Sequence, residues 1–299
     1  MSKKYSNDPL ENKEKAIQML HDFITAKLGG DKEQLRTYSF WDIDNDKDFG
    51  NGLSYSDGDR TKLAYAIDYL LFYDELKDID FSLPGYSTKK ETFTGETLNT
   101  FNTLFSSDEN NRTALSKIYG IEAFRNECYN PQNKNNSNDF YHIYQRLGNF
   151  SIFPCLTIDR QSINTLKGTD ISIRDYLYPF LTKLKEAYKY YDSEIIPKEC
   201  YELVSLMKQN SFFFSNEKAD SFDKFVSLFM LEGWEKLELK EYLKNSEITS
   251  NNIDVINDYI IKAKRFIENR TNRMVDKLIN ILPDPTGGKN ETRHNKVEE

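Results

Sequence analysis

The sequence predicts a mainly helical α+β protein with one small β-hairpin near residues 147–158. Several segments repeat apolar residues at the spacing of an amphipathic helix. One short apolar run follows Gly148 and Asn149, which is typical of a strand that begins at a tight turn. The chain has 299 residues, of which 14% are aromatic, so we expect a sizeable hydrophobic core rather than disorder.

The first helix has signals at both ends. Asp8 can cap it, and Pro9 suits the first helical position because proline has no N–H to satisfy there. Gly29 and Gly30 end it with residues that accept a positive φ. The same apolar periodicity predicts further helices at 60–76, 96–105, 112–128, 173–191, from Pro197 onward, at 221–231 and at 253–281.

An Asn-rich polar segment at 130–138 predicts a boundary within the chain. Before it, residues 1–130 form a predicted helical region that contains an acidic loop at 42–50. After it, residues 139–282 form a second helical region with the central strand element. Residues 283–299 are predicted to be a disordered tail, because Pro283 stops the last helix and polar residues follow.

Composition excludes several classes of protein. A net charge of −8 disfavours tight non-specific duplex binding, since neutralised phosphates supply most of that affinity. The chain has no apolar run of about 18 residues that would cross a membrane, and no apolar N-terminal segment typical of a secretory signal. Three widely separated cysteines predict neither a disulfide framework nor a zinc site. We therefore expect a cytoplasmic protein without a membrane partner, and the Lys-, Asn- and Ile-rich composition indicates a bacterial one.

The acidic loop has alternating carboxylates at Asp42, Asp44 and Asp48. A hard divalent cation prefers several oxygen ligands from one short loop. The spacing differs from a calcium-binding loop, because Leu53 or Tyr55 stands where the last Glu belongs. The favoured interpretation is a solvated acidic turn. The alternative is a looser site for Mg²⁺ or Mn²⁺, so no cofactor is certain.

The Gly148–Asn149 strand shares part of its pattern with HNH-type nucleases. In such sites a histidine activates water, an asparagine orients that histidine, and a further His or Asn holds a metal ion. Here His142, Asn149 and Asn164 are the candidate catalytic residues. The favoured interpretation is a structural hairpin in which Gly148 permits a tight turn, because His142 is only seven residues before Asn149.

Arg270 falls within the apolar stripe of the last helix. A buried guanidinium must be compensated, so we expect Arg270 to meet a carboxylate or a row of carbonyls. The favoured role is a structural tie between this helix and the rest of the protein. The alternative is an anion-binding site formed with Arg146, Arg174 or Arg273.

Several motifs in a fixed order resemble an uncharacterised family of bacterial proteins, from about residue 37 to 282. The motifs are Asp42-x-Asp44-x-x-Lys47-Asp48, Ser106-Ser107-Asp108, Arg146-x-Gly148-x-x-x-x-Phe153-Pro154, Ile163-Asn164-x-x-x-Gly168 with Ile171 and Arg174, the aromatic segment 220–231, and Ile267-Glu268-x-Arg270-x-x-Arg273-Met274.

A more distant resemblance is to the HNH-type C-terminal domain of modification-dependent restriction enzymes. Leu147-Gly148-Asn149-Phe150, Asn164 and Ile267-x-x-Arg270 follow the order of that domain. Its Asp-His pair has no clear counterpart in this chain, so the resemblance implies a nuclease-like scaffold without nuclease chemistry.

Two functions are therefore considered. The first is a non-catalytic or regulatory scaffold in phage defence or on a mobile element, which binds a protein or nucleic-acid partner. It predicts that Asn149, Asn164 and Arg270 are buried and satisfy one another. The alternative is a metal-dependent HNH-like nuclease or hydrolase, which predicts a cleft where its candidate ligands converge.

Overall fold

The part of the chain that the structure describes contains seven α-helices, several 3₁₀ turns and one pair of short strands, so the predicted mainly helical fold is confirmed. The structure is a computed structural model, and it describes residues 9–43, 46–50, 61–76, 93–98, 143, 145–154, 177–238 and 253–282. The predicted helix at 112–128, the boundary segment 130–138 and the tail 283–299 lie outside these residues. No helix in the described ranges combines the length and apolarity needed to span a membrane.

Helix α1 runs from Pro9 to Lys27, as its end signals predict. Gly29 and Gly30 have φ angles of 61° and 86°, and the Gly30 N–H donates to the Ile24 carbonyl at 3.0 Å. These two left-handed glycines close the last turn of the helix. A residue with a Cβ would be strained in this conformation. Helix α2 (Lys62–Leu76) packs alongside α1, and the two helices bury their apolar faces against each other.

Strands β1 (Phe93–Thr97) and β2 (Phe150–Pro154) form an antiparallel pair in which Phe93 lies opposite Pro154 and Thr97 opposite Phe150. A strand therefore lies within 147–158, but the predicted hairpin is not confirmed, because its partner comes from a distant part of the chain. The helix predicted at 96–105 is also wrong at its start, where β1 continues to Thr97. Pairing with β2 gives this segment its backbone hydrogen bonds, so local apolar spacing does not decide its conformation.

Four helices follow the strands: α3 (Leu177–Tyr188), α4 (Lys198–Gln209), α5 (Ser211–Phe214) and α6 (Phe222–Leu228). They enclose β2 with aromatic rings. Phe153 lies 5.4 Å from both Phe180 and Phe229, measured between ring centroids, and Phe225 lies 4.9 Å from Phe229. The abundance of Phe in the sequence thus goes into a core that surrounds the central strand.

The last helix, α7 (Ile253–Ile281), has the predicted bounds and packs against several parts of the protein. It contacts the 3₁₀ turns at Lys32–Arg36, Leu147–Asn149 and Trp234–Leu237, and also helix α2. One buried hydrophobic cluster extends from Ala16 to Leu282 and has members from both predicted regions. The division into those regions stays a prediction, and the described residues of the two are packed together.

Candidate functional site

The contact between Gly148 and α7 lies at the centre of the candidate site. A Cβ atom at Gly148 would stand 2.1 Å from the Ile267 carbonyl oxygen and 2.5 Å from both the backbone nitrogen and the Oγ1 of Thr271. Only glycine allows this approach of a turn to a helix backbone. The Gly148 N–H donates to Thr271 Oγ1 at 2.9 Å, and that hydroxyl donates to the Ile267 carbonyl at 2.7 Å. The turn is therefore joined to α7 by both packing and hydrogen bonds.

Arg270 is fully buried beside this turn, and all three of its guanidinium nitrogens donate hydrogen bonds. Nε donates to the Phe229 carbonyl and Nη1 to the Gly148 carbonyl, each at 3.0 Å. Nη1 also donates to the Phe150 carbonyl, and Nη2 donates to Ser151 Oγ at 3.2 Å. A row of carbonyls is one of the two arrangements expected for a buried guanidinium, and it is the one that these contacts form.

Electrostatics explains why this arginine keeps its charge. Burial is the main cause that lowers the pKa of Arg270, the charge of Asp68 on α2 opposes it, and with the smaller effects of Arg273 and Glu232 the pKa is about 9. Asp68 is itself buried, and it interrupts the apolar central part of α2. At neutral pH the guanidinium remains protonated, because even the lowered pKa is well above 7.

Two of the other candidate arginines also have partners within the protein. Arg146 is buried, and its Nη1 lies 3.4 Å from a carboxylate oxygen of Glu268 on α7. Burial lowers the pKa of Arg146, and the charge of Glu268 opposes that shift. Arg273 donates from Nη2 to the Met230 carbonyl at 2.8 Å and lies 3.4 Å from Glu232. The remaining candidate, Arg174, lies outside the described residues.

Met230, which accepts from Arg273, has an unusual backbone. Its φ is 54°, in the left-handed region where glycine is usual. It follows the end of α6, where the Leu231 N–H donates to the Val226 carbonyl at 2.8 Å. This tight reversal makes the adjacent carbonyls of Phe229 and Met230 available to Arg270 and Arg273.

Of the three candidate catalytic residues, the structure describes Asn149 alone. It is fully buried, its N–H donates to the Arg146 carbonyl at 2.9 Å, and its carbonyl accepts from the Leu98 N–H at 2.7 Å. His142 and Asn164 lie outside the described residues, so a catalytic set of these three remains a prediction.

The acidic loop is organised by Asp46, a residue that was not among the candidate ligands. Its Oδ1 accepts the backbone N–H groups of Asp48 at 2.9 Å and of Phe49 at 3.2 Å, and its Oδ2 lies 2.7 Å from Lys27 Nζ. The hydrogen bond with Lys27 holds the pKa of Asp46 below its usual range. One carboxylate thus closes the turn and ties it to α1.

Of the candidate metal ligands, Asp48 has an exposed side chain. The side chain of Asp42 and the whole of Asp44 lie outside what the structure describes. Within the described ranges, no three His, Cys, Asp or Glu side chains come together as a metal site would require. A site for Mg²⁺ or Mn²⁺ in this loop stays a prediction.

Sequence reasoning missed Thr271 and Asp68, and of these two only Asp68 had a signal in the sequence. Asp68 stands between Ile67 and Tyr69 in an apolar helix, and a charge in such a position indicates a buried partner. Thr271 had no such signal, because its role depends on the approach of Gly148 from 123 residues away.

The described residues thus form a mainly helical α+β protein in which the long helix α7 holds a glycine turn and its strand through buried arginine–carbonyl contacts. The sequence model of DUF6994, a family of unknown function, matches residues 43–274. That match covers more than half of the chain, so the chain belongs to this family. No curated protein and no solved structure gives a match. The expected membership of an uncharacterised family is confirmed, while the likeness to HNH-type domains stays a prediction.

Proposed function

We propose that this chain is a non-catalytic or regulatory scaffold of the cytoplasm that binds a macromolecular partner. One observation carries the proposal: all three guanidinium nitrogens of Arg270 donate to the protein's own main chain and to Ser151. A guanidinium used in this way, and fully buried, has no free edge with which to bind a phosphate. Arg270 therefore acts as a structural tie.

The close contact at Gly148 supports the same proposal. An active-site strand needs open space beside it for a substrate, and here not even a methyl group fits between Gly148 and α7. Asn149 is fully buried in the adjacent position. The pattern that resembles a nuclease strand is thus accounted for by packing against the last helix.

Charge favours a protein partner over duplex nucleic acid. The net charge of −8 repels phosphates at a distance and reduces the non-specific affinity on which most nucleic-acid binding rests. The proposed setting in phage defence or on a mobile element rests on the distant resemblance to restriction-enzyme domains.

A cleavage assay tests the non-catalytic proposal. The purified chain is incubated with end-labelled single- and double-stranded DNA and RNA, with Mg²⁺, with Mn²⁺ or with chelator. The matched control is His142→Ala, which removes the proposed general base of the alternative nuclease. We expect no cleavage by either protein above that seen with buffer. Metal-dependent cleavage that both the chelator and His142→Ala abolish would establish the nuclease alternative instead.

A further inference from the structure

Two apolar side chains in one short stretch are unusually exposed. Ile195 is 83% exposed and Tyr201 is 63% exposed, the highest values among the large hydrophobic residues that the structure describes. Both belong to the connection between α3 and α4 and the first turn of α4. Ile195 and Tyr201 are six residues apart in the chain. Exposed apolar side chains near one another, with polar residues around them, are typical of a surface that binds another protein.

The loop that carries Ile195 is held in a defined conformation. Ser193 Oγ donates to the Ile195 carbonyl at 2.8 Å and accepts from the Ile195 N–H at 3.1 Å. The Tyr191 hydroxyl is hydrogen bonded to Ser215 Oγ at 2.8 Å, which ties the loop to the residue after α5. A loop fixed in this way presents Ile195 to solvent. Because the loop is already ordered, binding of a partner costs little further loop entropy.

Tyr201 is placed to extend the same surface. It lies in the first turn of α4, and its neighbours Cys200, Leu203 and Val204 are on the buried face of that helix. Side chains of a helix lean toward its N-terminus. By this rule we expect the ring of Tyr201 on the side of α4 that is nearer the loop carrying Ile195.

The residues that neighbour Ile195 and Tyr201 in the chain are mostly acidic. Four exposed carboxylates occupy the segment, at Asp192, Glu194, Glu199 and Glu202, against one exposed ammonium at Lys198. These carboxylates attract a partner of opposite charge and repel an acidic one. The charge pattern thus specifies the kind of partner that the apolar centre can accept.

We infer that the Ile195 patch, defined as Ile195 and Tyr201 with their rim of Asp192, Glu194, Glu199 and Glu202, binds a protein segment in which Lys or Arg residues flank an apolar side chain. The apolar residue of the partner packs between Ile195 and Tyr201, and its basic residues face the carboxylates. This inference rests on the proposed function, because it names the partner class and the surface of the scaffold.

Selection of peptides by the full-length chain tests the inference. Random peptides displayed on phage are selected on the immobilised protein, and the enriched peptides are synthesised with a fluorescent label for anisotropy measurements. We expect net positive peptides with a central apolar residue. Their affinity should fall by about tenfold or more in the double variant Ile195→Ser, Tyr201→Ser, as for central apolar contacts in other interfaces. Peptide affinity should also fall in the double variant Glu199→Lys, Glu202→Lys. It should fall as well when the ionic strength is raised.

A matched control is available in Ile261, an isoleucine on α7 that is 49% exposed. The variant Ile261→Ser should bind the selected peptides as the unaltered chain does. Thermal melts of all variants should be nearly unchanged, because the altered side chains are at the surface. The inference is overturned if no peptide is enriched, if enriched peptides are not basic, or if the double variant Ile195→Ser, Tyr201→Ser binds them as tightly as the unaltered chain does.

Peptide binding and nucleic-acid cleavage are separate measurements, so each proposal can fail alone. Cleavage with intact peptide binding removes the non-catalytic function and leaves the surface. Absence of both cleavage and peptide binding removes the surface and leaves the scaffold.

Discussion

The carbonyl of Gly148 and the guanidinium of Arg270 are joined by a buried hydrogen bond of 3.0 Å, at the point where the backbone of Gly148 lies against α7. The glycine permits the approach and the arginine satisfies the carbonyl that the approach buries. Each residue therefore explains why the other is tolerated, since a buried charge and a buried carbonyl are both costly alone.

Replacing Gly148 with alanine should destabilise the protein severely. The new Cβ would stand 2.1 Å from a backbone oxygen of α7, so the turn or the helix must move. We expect a loss of about 3 kcal/mol or more in the free energy of unfolding, at or beyond the upper end of overpacking effects. Urea denaturation of Gly148→Ala measures it.

Gly29→Ala is the control for this substitution. Gly29, unlike Gly148, has a positive φ, and no atom lies within 4 Å of the position that the new methyl group would take, so only the left-handed strain applies. That strain costs roughly 1–2 kcal/mol. Equal stability of the two variants would contradict the close contact at Gly148.

Substitutions at Arg270 should separate charge from geometry. Arg270→Leu leaves the carbonyls of Gly148, Phe150 and Phe229 without their donor, and we expect it to cost about 3–5 kcal/mol. Arg270→Lys keeps a charge but cannot reach several acceptors with a planar fork, so it should also destabilise the protein. Thermal and urea melts of both variants provide the measurement, and a fully stable lysine variant would show that the charge alone suffices.

The left-handed backbone of Met230 predicts that glycine is tolerated at this position better than valine is. Valine is β-branched and is disfavoured at a φ of 54°, so Met230→Val should cost about 1–2 kcal/mol. Met230→Gly removes the side chain but suits the left-handed backbone, and we expect a smaller loss. Chemical denaturation of the two variants compares them directly. Valine tolerated better than glycine would contradict the left-handed conformation.

Asp46 should make the free energy of unfolding depend on pH in the acid range. Because its pKa is lowered in the folded state, its contribution is present above the unfolded pKa of about 3.9 and is lost as the pH falls through the lower, folded value. At neutral pH, Asp46→Asn should therefore be less stable than the unaltered chain, by about 1 kcal/mol. That difference should shrink below about pH 4.

The neighbouring exposed residue supplies the control. Asp48→Asn removes a carboxylate from the same turn but leaves the side-chain contacts of Asp46 with Lys27, Asp48 N–H and Phe49 N–H in place. Melts of both variants from about pH 3 to pH 7 are compared. A difference between Asp46→Asn and the unaltered chain that does not change with pH would rule out the proposed titration.

Local signals were sufficient for the bounds of α1 and α7. The bounds of α1 follow from Pro9 at its start and from Gly29 and Gly30 after its end. Those of α7 follow from long apolar periodicity that stops before Pro283. The burial of Arg270 could also be predicted, because its place in the apolar stripe is a property of one helix.

What the sequence by itself determined is therefore the bounds of helices such as α1 and α7 and the burial of Arg270. Only the tertiary structure decided that β1 pairs with β2, that Gly148 serves a close helix contact rather than a hairpin turn, and that carbonyls from two distant segments satisfy Arg270. The physical reason is the distance along the chain over which each interaction acts. Periodicity, caps and propensity act over a few residues, whereas strand pairing and the compensation of a buried charge depend on groups that folding brings together from far along the chain.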